Sequence, residues 1–218
     1  MTFLEATQDL KTGTTTVGIV CKDAVVLAAD MRASMGHIAY DEESEKVYKL
    51  SDTMGLTNAG SVGDSQTIIR FLKSQLQLYE LEREEPMSVK AASTLLSNVL
   101  NASRYYPFIC QFLIGGYLNG KPDLWEVTPY GGILQRPKYG VTGSGTEAAL
   151  TTVDLGFKAG LSTDEGIKLA VRAIESGKRR DIYSGGKSVS VLVVDKSGIR
   201  ILSEKEIAPI IQQVKVTL

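Results

Sequence analysis

The chain has 218 residues, a hydrophobic content of 43% and a formal net charge of −1 at pH 7. One domain accounts for this length, and the interspersed charges argue against the basic surface typical of nucleic-acid binding. The two cysteines, Cys21 and Cys110, have apolar neighbours and no metal-ligand spacing. We therefore expect two buried, reduced thiols in a cytoplasmic protein.

Neither a membrane span nor a secretory signal is predicted. The longest apolar segment, residues 108–118, is interrupted by Gln111 and two glycines, so it falls short of the ~18 apolar residues that a spanning helix needs. Met1–Gly13 is polar and lacks a hydrophobic stretch. Its composition leaves two interpretations open, a frayed terminus or a removable propeptide.

The first part of the chain predicts strands. Alternation places Thr15, Val17 and Ile19 on one face of the first strand, and a short turn at 21–23 leads into the second. The predicted strands in this part are 14–20, 24–29, 47–50 and 54–59.

After Gly63 the apolar residues recur at three- and four-residue spacing, which predicts amphipathic helices. Pro86 separates the first helix from the second, and Ser162 with Glu165 offers a capping box for a later one. Further helices are predicted at 146–157, 164–179 and 204–212, and further strands at 110–117, 124–128, 132–134, 189–194 and 199–202.

This order of elements predicts an α+β fold. Short turns between consecutive strands indicate antiparallel sheets rather than alternating parallel units. Two packed sheets with a helix pair on each outer face would bury all the apolar stripes, which gives a four-layer αββα sandwich. No repeat or linker divides the chain.

Histidine-dependent chemistry is poorly supported. A Ser-His-Asp or Cys-His site needs a histidine, and His37 is the only one, next to Gly36 in a polar stretch. We expect a surface histidine there. A zinc site normally needs several His or Cys ligands, so a metal site is not predicted either.

Two glycine-rich segments resemble nucleotide-binding motifs superficially. The segment 143–148 follows a strand and opens a helix, but the acidic residues Asp164 and Glu165 begin another helix instead of ending a parallel strand. The segment 185–188 resembles the end of a P-loop, yet Asp181 stands where that motif needs glycine. We therefore expect no nucleotide cofactor.

The junction Gly13-Thr14 carries the most informative chemistry. Threonine runs are usually simple strand sequence, but cleavage after Gly13 would give Thr14 a free α-amine, with a pKa of roughly 7.7–8.0, beside its own hydroxyl. Such an amine can act as the base for the hydroxyl. Asp30 ends the strand expected to pair with the Thr14 strand, and it can hold the ammonium of Lys46 nearby.

Ordered motifs along nearly the whole chain resemble a β subunit of the proteasome core particle, of the archaeal type. Any one of these motifs is weak evidence, but their number and order make the resemblance highly specific. They comprise residues 12–18 (TGTTTVG), 28–32 (AADMR), Lys46, 58–64 (NAGSVGD), 111–116 (QFLIGG), 142–145 (TGSG) and 180–186 (RDIYSGG).

The resemblance implies an N-terminal nucleophile hydrolase fold and a threonine peptidase. Residues 1–13 would be a propeptide removed by self-cleavage, leaving one hydrolase domain, residues 14–218. Thr14 would be the nucleophile, with Lys46 stabilising the alkoxide and Asp30 holding Lys46. The implied groups around the amine are Ser144, Asp181 and Ser184, and the implied oxyanion donor is the Gly60 backbone N–H.

The resemblance also implies a specificity pocket, whose matching positions are Ala33, Ser44, Tyr48, Asn58 and Val62. An apolar pocket would favour cleavage after large hydrophobic residues, but Asn58 departs from that pattern, so we predict a mixed pocket.

The implied partners are other β subunits in a heptameric ring, proteasome α subunits, an ATP-dependent unfoldase and unfolded polypeptide substrate. No cofactor, nucleic acid or membrane is expected. Non-catalytic β subunits usually lack the Gly–Thr junction, the lysine or its acidic partner, and this chain has all three. Bacterial two-ring threonine proteases are shorter and begin almost at the nucleophile.

Overall fold

A computed structural model gives the structure of the protein and describes residues 13–217, with side chains to residue 214. The predicted propeptide, apart from Gly13, lies outside the described residues. The described helices are α1 (Val62–Arg83), α2 (Val89–Ala102), α3 (Thr146–Gly156), α4 (Thr163–Arg180) and α5 (Glu204–Thr217). The strands are β1 (Thr16–Val20), β2 (Ala24–Asp30), β3 (Ala33–Met35), β4 (Ile38–Asp41), β5 (Val47–Lys49), β6 (Met54–Gly60), β7 (Cys110–Leu118), β8 (Lys121–Val127), β9 (Ile133–Gln135), β10 (Tyr139–Thr142), β11 (Val189–Asp195) and β12 (Gly198–Ile201).

Two five-stranded sheets form the centre of the fold. The strand order is β10-β1-β2-β11-β12 in the first sheet and β5-β6-β7-β8-β9 in the second. Every neighbouring pair is antiparallel. Strands β3 and β4 form a separate two-stranded hairpin. This topology confirms the prediction of antiparallel sheets.

Three apolar clusters show how the layers stack. One cluster joins the first sheet to α3, α4 and α5, with Val17 and Ile19 among its buried members. A second joins the other sheet to α1 and α2. The third lies between the sheets and includes Leu27, Leu113 and Leu192. Helices therefore cover both outer faces of a double sheet, and the predicted four-layer αββα sandwich is confirmed.

Differences from the predicted elements are local. The short strands β3, β4 and β10 are not among the predicted elements. Strands β3 and β4 are partly or fully exposed and pair only with each other, so they leave no core-facing pattern. Helix α5 runs beyond residue 212 to Thr217, and buried Val214 packs it against the first cluster. The capping box of Ser162 and Glu165 is present at the start of α4.

Smaller predictions concern single residues. Cys21 and Cys110 are free and buried, as expected. His37 is exposed in the turn between β3 and β4, which confirms a surface histidine. Among residues 13–217, no helix is both long and apolar enough to cross a membrane, and the described His, Cys, Asp and Glu residues form no cluster that could hold a metal ion.

Candidate active site

Thr14 lies two residues before β1 and is 4% exposed. The chain here is fixed from two sides. The Thr15 N–H donates to Asp30 Oδ1 at 2.9 Å, and the Thr15 carbonyl accepts from the Asp30 N–H at 3.1 Å. The hydroxyls of Thr16 and Thr142 are 2.6 Å apart across β1 and β10. The predicted strand 14–20 therefore begins at Thr16, and Thr14 and Thr15 lie just before it at the end of the sheet.

Three polar groups surround the peptide bond between Gly13 and Thr14. Thr14 Oγ1 donates to the Gly13 carbonyl oxygen at 2.6 Å, and Lys46 Nζ donates to the same oxygen at 3.3 Å. The Thr14 N–H donates to Ser144 Oγ at 3.0 Å. A hydroxyl and an ammonium thus converge on one carbonyl group.

The ammonium of Lys46 belongs to a buried ion pair. Lys46 Nζ lies 2.8 Å from Asp30 Oδ1, and the two side chains are 7% and 0% exposed. Burial lowers the pKa of Lys46 from its ordinary value, and the Asp30 carboxylate opposes that shift. Asp30 Oδ2 also accepts from the Arg32 N–H at 3.2 Å and the Gly185 N–H at 2.8 Å. The contact expected between Asp30 and Lys46 is therefore present.

A carboxylate orients the two serines. Asp181 is the C-cap residue after α4, and its Oδ2 accepts from the hydroxyl of Ser144 and, at 2.5 Å, from that of Ser184. Because each serine hydroxyl has one proton, both serines then turn lone pairs toward the threonine run. Ser144 accepts from the Thr14 N–H, and Ser184 Oγ lies 2.8 Å from Thr15 Oγ1.

Gly60 ends β6 with a φ of +131°, a conformation that side chains rarely adopt. A Cβ built there would lie 2.1 Å from the carbonyl oxygen of Ile109. Only glycine therefore allows β6 to end in this way before Ser61 caps α1. The Gly60 backbone lines the same cleft as Thr14.

A small cleft, partly open to solvent, lies beside Thr14. The five residues predicted for the specificity pocket all line it, together with the junction and its lysine. Its lining includes Ala33, Ser44, Tyr48, Asn58, Val62, Gly13, Thr14, Lys46 and Gly60. All predicted site residues thus lie at the cleft or in the hydrogen-bond network of the threonine run.

Comparisons with known proteins agree with this arrangement. A family model described as "Proteasome subunit" matches residues 10–194. The chain belongs to the proteasome subunit family. Proteins named "Proteasome subunit beta" are similar to it over most of their length. That of Methanocaldococcus fervens is 43% identical over 208 residues, covering 94% of this chain and 92% of the relative. That of Methanosarcina mazei is 40% identical over 195 residues, covering 89% and 92%.

Some residues around this proteasome-family site are not predicted by the sequence. Arg32 Nε pairs with Glu42 Oε1 at 3.0 Å, and Arg32 Nη1 donates to the Ser184 carbonyl at 3.4 Å. Ser34 Oγ donates to the Tyr183 carbonyl at 3.0 Å. Arg32 belongs to one of the motifs that carry the family resemblance, residues 28–32. Its partner Glu42 follows the β3–β4 hairpin, which is not predicted from the sequence. The hairpin thereby holds the segment that carries Asp181 and Ser184.

Proposed function

We propose that this chain is a threonine endopeptidase subunit of the proteasome core particle. Thr14 becomes its nucleophile after self-cleavage at Gly13-Thr14. The observation that supports this most directly is the convergence of the Thr14 hydroxyl and the Lys46 ammonium on the Gly13 carbonyl oxygen. Membership of the proteasome subunit family supports the same function.

Self-cleavage begins when Thr14 Oγ attacks the Gly13 carbonyl carbon. An Oγ–C bond forms, the C–N bond breaks, and the hydroxyl proton ends on the nitrogen as a free amine. The resulting ester is hydrolysed by water, which releases residues 1–13. Lys46 stabilises the negative charge on the carbonyl oxygen, because its ammonium already donates a hydrogen bond to that oxygen.

In the mature enzyme, the free amine of Thr14 serves as the base for its own hydroxyl. Ser144 accepts one N–H of this nitrogen at 3.0 Å in the uncleaved chain, so the amine keeps a fixed orientation and its lone pair is available. Lys46 lowers the cost of forming the alkoxide. The Gly60 N–H serves as the oxyanion donor, and water then hydrolyses the acyl-enzyme.

The particle that contains this subunit is a stack of rings. We propose a heptameric β ring inside α rings, so that confinement excludes folded proteins and an ATP-dependent unfoldase delivers unfolded polypeptide. The two described cysteines are free and buried, which supports a reducing, cytoplasmic setting.

The intact mass of the assembled protein, combined with hydrolysis of an unfolded protein, tests this proposal. The wild type should lose residues 1–13 and become active, whereas Thr14→Ala should retain them and stay inactive. An active wild-type enzyme that keeps Met1 would overturn the mechanism. A wild type that assembles without processing or activity would instead indicate a structural ring subunit.

A further inference from the structure

The side-chain amide of Asn58 lines the cleft beside Thr14. Asn58 lies on β6, one strand position before Ala59 and two before Gly60, and it is 5% exposed. Its Oδ1 lies 2.5 Å from the hydroxyl of Ser65, which is buried on α1. The amide is therefore held between a helix and the cleft rather than projecting freely into solvent.

Within the described part of the chain, only one end of this amide has a partner. Among the residues that the structure describes, Asn58 Nδ2 makes no hydrogen bond, and the side chain lines the cleft. The nearby phenol of Tyr48 is occupied elsewhere, since it donates to the Glu45 carbonyl at 2.5 Å. This end of the amide is not sealed from the cleft, so a substrate group that enters the cleft can pair with it.

The Ser65 hydroxyl determines what that ligand must offer. Ser65 Oγ lies 2.6 Å from the Ser61 carbonyl as well as 2.5 Å from the Asn58 amide, and it has a single proton. If the proton goes to Asn58, the amide nitrogen faces the cleft. If it goes to Ser61, the amide turns and its oxygen faces the cleft. A group that both donates and accepts matches either orientation.

We propose that this cleft selects a neutral carboxamide side chain, glutamine above all, on the substrate residue whose carbonyl Thr14 attacks. The inference rests on the proposed function and names the substrate class of the same site. An apolar side chain of equal length leaves the Asn58 amide unpaired. An acidic side chain gains little from the cations in the cleft, because Arg32 and Lys46 are already paired with Glu42 and Asp30. A basic side chain would meet only the exposed carboxylate of Glu45, where solvent screens the ion pair.

The test uses the assembled, processed particle and fluorogenic peptides that differ only in this residue: Gln, Leu, Glu and Lys. The kcat/KM for Gln should exceed that for Leu by about 5- to 10-fold, the ratio expected for one net hydrogen bond. Asn58→Leu should reverse this preference. The matched control is Asn101→Leu, since Asn101 is exposed and bonded to the Tyr130 carbonyl, and it should leave the ratio unchanged.

A wild type that cleaves after Leu as well as after Gln overturns the inference, as does an Asn58→Leu ratio equal to that of the wild type. Strict preference for Glu or Lys also overturns it. Should Asn58→Leu fail to assemble, sequencing the products of an unfolded protein digested by the wild type gives the same comparison. A processed particle that degrades that protein without glutamine enrichment refutes the inference alone, whereas one that degrades nothing refutes the proposed function too.

Discussion

The guanidinium of Arg32 packs directly against the backbone of Gly185, so closely that a Cβ at Gly185 would lie 2.3 Å from Arg32 Cζ. The same side chain pairs with Glu42 and donates to the Ser184 carbonyl. The Gly185 N–H in turn donates to Asp30 at 2.8 Å. Arg32 therefore connects the partner of Lys46 to the segment that carries Asp181 and Ser184.

Arg32 is therefore expected to be a positioning residue for the reaction. Arg32→Ala should lower kcat by about 10- to 100-fold, because small displacements of catalytic groups are costly, while KM changes little. Arg32→Lys should recover only part, because an ammonium lacks the planar fork of the guanidinium. Steady-state kinetics on the processed particle measure this. A mutant with normal kcat, or with a loss confined to KM, would contradict the role.

The pH dependence of self-cleavage should depend on Asp30. Burial puts the pKa of Lys46 below its ordinary 10.5, and Asp30 holds it up. The cleavage rate should therefore fall on the alkaline side below pH 10.5, as Lys46 loses its proton. Asp30→Asn removes the carboxylate, so the pKa falls further and the alkaline limb should move to lower pH. Intact mass against time at several pH values measures the limb.

The matched control for that experiment is Asp52→Asn, because Asp52 is exposed and pairs with Lys49. Its alkaline limb should coincide with that of the wild type, and an unshifted limb in Asp30→Asn would contradict the assignment.

Raising the pH should change the cleavage rate and the contribution of Lys46 to stability in opposite directions. Since the folded state releases the Lys46 proton at lower pH than the unfolded chain, this residue's contribution to the free energy of unfolding should rise with pH in that window.

The two thiols should react only when the protein unfolds. Burial raises the pKa of Cys21 and of Cys110 to about 12, so neither forms appreciable thiolate near neutral pH. Labelling with a thiol reagent at pH 8 should be slow in the native protein and fast in denaturant. Mass spectrometry with each cysteine replaced by Ala in turn separates the two sites. Rapid native labelling of either thiol would show that its burial is incomplete.

Much of this fold could be predicted from the sequence, because burial leaves periodic signatures. The helix stripe containing Ile68, Leu72 and Leu76 faces the second apolar cluster, as its spacing predicts. The β3–β4 hairpin escaped prediction because Met35, Ile38 and Tyr40 remain exposed and leave no core-facing alternation. Exposed strands are recognised by their pairing, which one sequence does not show.

The candidate site was likewise predictable only in part. The residues expected around Thr14 were found through ordered motifs. The contact of Lys46 with Asp30 was expected because Asp30 ends the strand that pairs with the strand following Thr14. The role of Ser65 could not be predicted, since its bond to Asn58 joins a strand to a helix across the start of α1. Such contacts depend on three-dimensional packing and leave no pattern along the chain.

Glycine at position 13 should be required for self-cleavage on steric grounds. A Cβ built on Gly13 would lie 1.6 Å from Tyr183 Cβ and 2.8 Å from Tyr183 Cα, so Gly13→Ala must displace the Gly13 carbonyl from the Thr14 hydroxyl and Lys46. Processing should slow by at least about 100-fold, as expected for a misplaced reacting group. Intact mass against time measures it. The control is Gly63→Ala, where an added Cβ meets no atom within 4 Å, and it should process normally.

Because removing the Tyr183 side chain relieves the shorter contact, Tyr183→Gly combined with Gly13→Ala should recover part of the rate. Wild-type processing in Gly13→Ala alone would show that the junction tolerates displacement and that the observed hydrogen bonds do not govern cleavage.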